Sequence, residues 1–330
     1  GRDISRTDFE RILGQYAQRH KQNLQELFEL GVNHETTDTF STMYLLMSNI
    51  RSANCVSKLH CDFEAGVHHK SPLIPITNGI NRDHWEAKIW GNASLSLGDS
   101  DLWKIHQQNK NDMFKALNLD LDINNLTVVW ARRLALYKRP LLLFNDLSRL
   151  AKIINNPSQP LQIIVAGRPH PGDNESLQFA TELARISQLP EFLDRFFFIP
   201  EYSLNVTAPL TSGADVWLNT PTVGIEACGT SGMKAGLNGG LVFSTRDGWT
   251  GEVDWKDTGW IIPEENIESN IYSLLEDRIA PEYYYRENGL PTRWIQRMRT
   301  TMKIIQEEYT TERMLKEYVE KLYFPMSSRA

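Results

Sequence analysis

Cysteine is scarce in this 330-residue chain, which contains only Cys55, Cys61 and Cys228. Three scattered thiols cannot build a disulfide framework, and no Cys-x-x-Cys spacing indicates a zinc site. We therefore expect free thiols and a reducing, cytoplasmic location. His68 and His69 are adjacent in the sequence, so their side chains need not converge on one ion, and we predict no metal site.

Long apolar runs and an excess of positive charge are also lacking. No run approaches the roughly 18 to 20 residues of a membrane-spanning helix, and residues 1–15 are polar where a signal peptide is apolar. The formal net charge is -6 at pH 7, whereas sequence-independent binding to nucleic acid needs concentrated lysine and arginine. These absences predict a protein that binds neither membranes nor nucleic acids.

What is present, from residue 127 onward, is an alternation of short apolar runs with amphipathic stretches. The runs are nearly continuous and rich in Val, Ile and Phe, which is typical of parallel strands buried on both faces. The predicted strands span 127–130, 161–166, 196–199, 216–218, 241–244 and 260–262. The predicted helices between them span 138–154, 173–188, 203–212 and 264–277. This alternation predicts an α/β fold with a doubly wound parallel sheet, where ligands bind at the carboxyl ends of the strands.

The two ends of the chain favour helix. Apolar residues at three- and four-residue intervals predict an amphipathic helix over 8–30, and a second helical stretch follows at 39–60. Prolines and an Asn-Gly pair make 70–79 an irregular connection between two lobes. Residues 281–325 return to helix, and we expect their apolar stripe to pack against the protein's own core. The stripe consists of Met314, Leu315, Tyr318, Val319, Leu322 and Tyr323.

Residues 226–240, EACGTSGMKAGLNGG, carry the clearest chemical signal. The small residues from Gly229 to Gly232 precede a predicted helix start, where backbone N–H groups can approach a phosphate closely. Lys234 follows Thr230 by one helical turn, so its amine can lie beside a group bound there. Such an amine forms a Schiff base with an aldehyde cofactor. On these residues alone, a plain strand-to-helix turn with a solvated lysine stays open as the alternative.

The full string EAxGTxxMK, followed by LNG, resembles the cofactor-lysine motif of the α-glucan phosphorylases, which include the glycogen, starch and maltodextrin enzymes. Further blocks agree with this family in their order along the chain. They are SANCVSKLH at 52–60, similar to a family helix, TNGI at 77–80, the basic block ARRLALYKR at 131–139, and DVWLNTP at 215–221. The resemblance extends over about residues 40–325.

The resemblance implies pyridoxal 5′-phosphate as cofactor, whose phosphate acts as an acid or base beside the substrate phosphate. The residues matched to the cofactor are Lys234, Thr230, Ser231, Arg132 and Tyr202. The residues matched to the substrate phosphate are Arg133 and Lys138. The residues matched to the sugar are Glu226, Asn78, Tyr137, Cys228 and Gly229. Without the resemblance to this family, we would interpret the charged residues among these as solvated surface residues and Tyr202 as a core residue.

The implied reaction transfers a terminal glucosyl unit from an α-1,4-glucan or maltodextrin to inorganic phosphate, giving α-glucose 1-phosphate with retention. No pair of acidic residues has a spacing that specifically predicts hydrolysis. Two alternatives stay open. One is a nucleotide-sugar glycosyltransferase of the glycogen or starch synthase kind, which does not need Lys234 as an imine. The other is a non-catalytic glucan-binding protein.

The implied fold is of the GT-B type. Residues 1–78 are then a helical segment of the N-terminal lobe, and 79–330 are the Rossmann-like cofactor-binding lobe with C-terminal helices. Most of the N-terminal lobe is expected to be missing, so a separate N-terminal lobe or a homo-oligomer is an expected partner, and activity of this chain alone stays open. Ser203 and Cys228 replace an arginine and a serine of the family, so the cofactor-phosphate contacts expected there are those of the backbone.

Overall fold

The structure, a computed structural model, describes residues 3–32, 39–67, 73–91 and 94–324. His68 and His69 lie outside these ranges. Within them, no helix combines the length and apolar character needed to cross a membrane. The same ranges contain no group of three or more His, Cys, Asp or Glu side chains arranged to hold a metal ion.

The N-terminal part alternates short helices with short strands. Its elements are β1 Asp3–Ile4, α1 Arg6–Arg19, α2 Leu24–Glu29, β2 Phe40–Ser41, α3 Thr42–Asn49, β3 Ala53–Cys55, α4 Lys58–Val67 and β4 Leu73–Pro75. The single helix predicted over 8–30 is two helices, because Lys21 has a φ of 54°, which no continuing α-helix allows. The side chain of Asn23 then caps α2 by accepting hydrogen bonds from the N–H groups of Gln25 and Glu26.

The helix predicted over 39–60 is wrong for half of its length. That segment contains β2, α3 and β3, and α4 begins only at Lys58. Strand β3 pairs in parallel with β4, with Ala53 opposite Leu73, so part of the connection predicted as irregular over 70–79 is also a strand. The pairing partners are distant in sequence, and such a contact overrides the local spacing of apolar residues.

A six-stranded parallel sheet forms the centre of the remaining chain. Its strands are β5 Leu126–Ala131, β6 Leu161–Ala166, β7 Phe196–Ile199, β8 Val216–Asn219, β9 Leu241–Thr245 and β10 Trp260–Ile262. All six predicted strands are confirmed. Their spatial order is β10-β9-β8-β5-β6-β7, so the direction in which the sheet grows reverses between β5 and β8. That position is the topological switch point of the doubly wound fold.

Helices cover both faces of this sheet. Val128 and Trp130 of β5 contribute to one apolar core, whereas Val129 and Ala131 contribute to another, as the alternation of side chains along a strand requires. The helices are α5 Arg82–Trp85, α6 Asp99–Ala116, α7 Leu147–Ile154, α8 Asn174–Ile186, α9 Leu204–Gly213, α10 Ser231–Leu237, α11 Ile267–Leu274, α12 Ala280–Tyr284, α13 Thr292–Glu308 and α14 Thr311–Glu317. The predicted α/β class is confirmed.

Helix α6 was not predicted, because polar residues occupy several of its buried positions. They include His106, Asn109 and Lys110. The amine of Lys110 donates to Asp215 Oδ2 and to the carbonyl of Asn125, each at 2.5 Å, and His106 Nε2 lies 2.9 Å from Asp215 Oδ1. This buried network fastens α6 to the residues that precede β5 and β8. It lies at the amino end of the sheet.

Two further helix predictions need correction. The helix predicted at 138–154 begins only at Leu147, because Arg139 has a φ of 49° and the preceding residues form short 3₁₀ turns. The region 281–325 is divided among α12, α13, α14 and a π-helical segment over Tyr318–Tyr323. Its apolar stripe is not fully packed, since Leu315, Tyr323 and Val319 are 59%, 56% and 39% exposed. The packing prediction is therefore wrong for these three side chains.

Candidate functional site

The site lies where β5 and β8 end side by side. Two loops leave these strands at the switch point, 132–139 after β5 and 220–230 after β8. The loops bind each other directly, because the N–H of Thr222 donates to the carbonyl of Tyr137 at 2.7 Å and Arg139 Nε donates to the carbonyl of Thr220 at 2.8 Å. The residues predicted from the basic block and from the glycine-rich segment are thereby brought together.

A carboxylate between two cations forms the centre of the site. The amine of Lys138 donates to Glu226 Oε2, and Arg132 Nη2 lies 3.4 Å from the same oxygen. Arg132 and Lys138 are only 5% and 6% exposed. Burial and the neighbouring Arg132 lower the pKa of the Lys138 amine to about 8. Two buried cations thus share one acidic partner.

The guanidinium of Arg132 is only partly satisfied. Its Nε and Nη1 atoms are buried and have no hydrogen-bond partner among the described residues. Burial also lowers the pKa of this guanidinium, although Glu226 opposes the shift. Buried donors in folded proteins are nearly always paired. The space that the Nε and Nη1 groups of Arg132 face is therefore suited to an anion.

Arg133, Tyr137 and Tyr202 surround this pair of cations. Arg133 is exposed, and it opposes the increase in the pKa of Tyr137 that burial causes. The Tyr137 ring lies under the Lys138 amine, 4.6 Å from ring centroid to nitrogen. Burial raises the pKa of Tyr202, and the charges of Arg132 and Arg133 oppose that shift. Positive charge therefore extends from the buried Arg132 toward solvent at Arg133.

The glycine-rich turn passes close to Arg132. Gly229 has a φ of 69°, and a Cβ added there would lie 3.4 Å from Glu226 Cγ and 3.5 Å from Arg132 Nη2. The Gly229 carbonyl accepts a hydrogen bond from Trp249 Nε1 at 3.3 Å. Glycine is favoured here because the backbone is left-handed and runs beside the buried charges.

Helix α10 follows this turn and presents Lys234. Thr230 immediately precedes the helix, and Ser231 Oγ accepts a hydrogen bond from Trp217 Nε1 at 3.2 Å. The Lys234 amine lies over the Trp85 ring, 3.8 Å from its centroid. Burial lowers the pKa of this amine. A larger fraction of the amine is then neutral and nucleophilic at a given pH than for a solvated lysine.

Asp247 organises the glycine-rich loop and was missed in the sequence. Its buried carboxylate accepts hydrogen bonds from the N–H groups of Glu226 at 2.8 Å and Gly248 at 2.9 Å. Burial raises the pKa of this carboxyl, and the N–H donors oppose the shift. Its position at the carboxyl end of β9 was the available signal, since ligand sites of doubly wound sheets lie at such ends.

Cys228 and Asn78 adjoin the loop through their backbones. A Cβ on Gly248 would lie 2.7 Å from the Cys228 carbonyl oxygen, so the two chain segments are in close contact. Burial raises the pKa of the Cys228 thiol to about 12, and the nearby backbone of Asn78 opposes this increase. The N–H of Asn78 donates to the carbonyl of Val56 at 3.0 Å. Ser57 Oγ donates to the carbonyl of Ala227 at 2.6 Å. The N-terminal part thus supports the same loop.

Comparisons with known proteins find relatives over most of this chain. A family model described as carbohydrate phosphorylase matches residues 97–323. Glycogen phosphorylase of Aquifex aeolicus is 32% identical over 91% of this chain and 52% of its own length. Maltodextrin phosphorylase of Thermococcus litoralis is 32% identical over 87% of this chain and 41% of its own length. A glycogen phosphorylase of Mycobacterium bovis is 33% identical over 77% of this chain and 35% of its own length. The chain spans about half the length of these relatives, or less.

Proposed function

Because this chain belongs to the carbohydrate phosphorylase family, we propose that it is the cofactor-binding part of an α-1,4-glucan phosphorylase. The proposed reaction transfers a terminal glucosyl unit from an α-1,4-glucan or maltodextrin to inorganic phosphate and gives α-glucose 1-phosphate with retention. The proposed cofactor is pyridoxal 5′-phosphate. A cytoplasmic location belongs to the same proposal, and the free thiols of all three cysteines are compatible with it.

The observation that supports this proposal is that one short turn joins an anion site to a reactive amine. The segment begins at Gly229, beside Nη2 of Arg132, whose Nε and Nη1 are unpartnered among the described residues. It ends at Lys234, whose pKa is lowered by burial. The two ends fit the two reactive groups of pyridoxal 5′-phosphate. Arg132 would bind its phosphate, with Thr230, Ser231 and Tyr202 nearby, and Lys234 would bind its aldehyde.

The other site residues are assigned to the two substrates. Arg133 offers a planar fork of donors to the substrate phosphate and Lys138 a point charge. Glu226, Tyr137 and Asn78, with the backbone of Cys228 and Gly229, are assigned to the sugar hydroxyls, because a neutral ring gains specificity from paired hydroxyls in a dry site. The bound cofactor supplies a phosphate that exchanges a proton with the substrate phosphate. Retention follows if the glucan leaves and phosphate attacks on the same face of the sugar.

Borohydride reduction tests the cofactor assignment. We expect the chain incubated with pyridoxal 5′-phosphate and then reduced to carry a phosphopyridoxyl group on the peptide that contains Lys234. Lys234→Ala should lose both this adduct and the near-ultraviolet absorbance. Lys256→Ala is the control, because Lys256 is an exposed lysine outside the site. An adduct spread over surface lysines and unchanged in Lys234→Ala would contradict the proposal.

We further propose a GT-B architecture for the whole protein. Residues 1–78 are assigned to its N-terminal lobe and 79–330 to its C-terminal lobe, and the rest of the N-terminal lobe is supplied by a separate segment or a second subunit. The test is release of glucose 1-phosphate from maltodextrin when the chain is combined with the N-terminal lobe of a relative. An intact Lys234 adduct without that release would favour a non-catalytic glucan-binding protein.

A further inference from the structure

The contacts of Glu226 conflict with its assignment to the sugar alone. Its Oε2 atom is the hydrogen-bond acceptor of Lys138 and lies within ion-pair distance of Arg132, and both of these cations are assigned to anions. One oxygen therefore lies where a phosphate oxygen must approach Lys138. While the carboxylate stays on the two cations, that oxygen is also unavailable to a sugar hydroxyl.

The backbone beneath this side chain is fixed from two sides. Glu226 N donates to Asp247 Oδ2 at 2.8 Å, and the next carbonyl along the chain, that of Ala227, accepts from Ser57 Oγ at 2.6 Å. The carboxylate can therefore change partners by rotation about its side-chain bonds, without movement of the loop. The side chain of Glu226 is 12% exposed, so it borders the open part of the site.

We propose that Glu226 couples the phosphate and sugar subsites. A bound phosphate displaces its carboxylate from Lys138 and Arg132, and the released carboxylate accepts hydrogen bonds from the sugar. Phosphate wins this exchange because it carries more negative charge and more acceptor oxygens than a carboxylate. The inference rests on the proposed function, since it takes phosphate and a sugar as the ligands.

The exchange has a thermodynamic consequence that can be measured. If phosphate releases Glu226 for the sugar, phosphate raises the affinity for the sugar, and the sugar raises the affinity for phosphate by the same factor. Glutamine at this position keeps the shape but removes the competing charge. Phosphate then no longer displaces a carboxylate, and the sugar affinity no longer depends on phosphate.

The experiment is calorimetric titration of the chain, preloaded with pyridoxal 5′-phosphate so that Arg132 is occupied by the cofactor phosphate, with inorganic phosphate and with glucose, each alone and in the presence of the other. We expect Glu226→Gln to bind phosphate about tenfold more tightly than the unaltered chain, since the loss of one charged competitor is of this order. We also expect the effect of phosphate on glucose affinity to disappear. Glu252→Gln is the matched control: Glu252 is a poorly exposed carboxylate beside Lys58 and bonded to Thr77, and its loss should change neither result.

The outcomes separate the two proposals. Phosphate binding that is equal or weaker in Glu226→Gln overturns the coupling role but leaves the phosphorylase assignment intact. Glucose affinity that does not respond to phosphate in the unaltered chain also overturns it. If the unaltered chain binds no phosphate and forms no adduct on Lys234, the proposed function fails together with the inference. Circular dichroism and the urea midpoint of each variant establish that it is folded.

Discussion

Gly248→Ala is the sharpest test of how the loop that precedes Lys234 is held in place. Gly248 has a φ of 58°, and an added Cβ would lie 2.7 Å from the oxygen and 2.8 Å from the Cα of Cys228. Both of these Cys228 atoms belong to the backbone, so rotation of a side chain cannot relieve the contact. The substitution therefore strains Gly248 and also displaces the segment that carries Glu226.

The expected cost has two parts. A left-handed backbone costs alanine roughly 1–2 kcal/mol more than glycine, and fitting a methyl group into closely packed atoms adds about 1–3 kcal/mol. Gly248→Ala should therefore lower the free energy of unfolding by about 2–5 kcal/mol. Gly91→Ala is the matched control, because Gly91 has a φ of 56° and no atom within 4 Å of an added Cβ. At Gly91 only the cost of the left-handed backbone applies.

Urea unfolding of both variants measures the difference, and titration with inorganic phosphate measures the effect on the site. We expect Gly248→Ala to unfold at lower urea than Gly91→Ala and to bind phosphate more weakly than the unaltered chain, whereas Gly91→Ala should bind it normally. If the two variants have the same urea midpoint and both bind phosphate normally, the close contact between Gly248 and Cys228 does not support the site.

Phosphate binding should weaken as the pH rises through about 8, because the pKa of Lys138 is lowered to about 8 and its amine then loses its charge. Phosphate titrations over a pH series measure this effect. Lys138→Met should make the phosphate affinity nearly independent of pH in this range. The same shift makes the unfolded chain bind more protons between pH 8 and 10.5, so this lysine should raise the free energy of unfolding with pH in that range. Asp215→Asn should lower the free energy of unfolding by about 3–5 kcal/mol, because it leaves Lys110 buried without a carboxylate; a urea midpoint close to that of the unaltered chain would contradict this.

The sheet could be predicted from the sequence because its strands are buried on both faces. Residues 161–166 are buried throughout, so five of the six residues of this strand are apolar and only Gln162 is polar. Helix α6 could not be predicted in this way, because Lys110 and His106 fill core positions and their partner Asp215 is far away in sequence. The local sequence pattern indicates which apolar positions are buried. A buried polar network can be recognised only when its partners, which are distant in sequence, are known.

The site could be predicted in its segments but not in its pairings. The chain order of the basic block and the glycine-rich segment indicated both loops, yet Lys138 and Glu226 are 88 residues apart and their contact depends on β5 lying next to β8. Asp247 was missed because a lone Asp-Gly pair after a strand is also an ordinary turn. Its carboxylate accepts a hydrogen bond from the N–H of Glu226, 21 residues away in sequence, and only the fold brings these two residues together.

The net charge of the site follows from the different partners of its two acidic side chains, Asp247 and Glu226. Asp247 is satisfied by backbone N–H groups, so it shapes the loop without being paired to a cation. Glu226 is then the carboxylate bonded to Lys138 and lying near Arg132, and the three side chains together keep one excess positive charge. Since an uncompensated buried charge is costly, this arrangement is more stable with a bound anion than without one, and the two unpartnered donors of Arg132 give that anion its direction of approach.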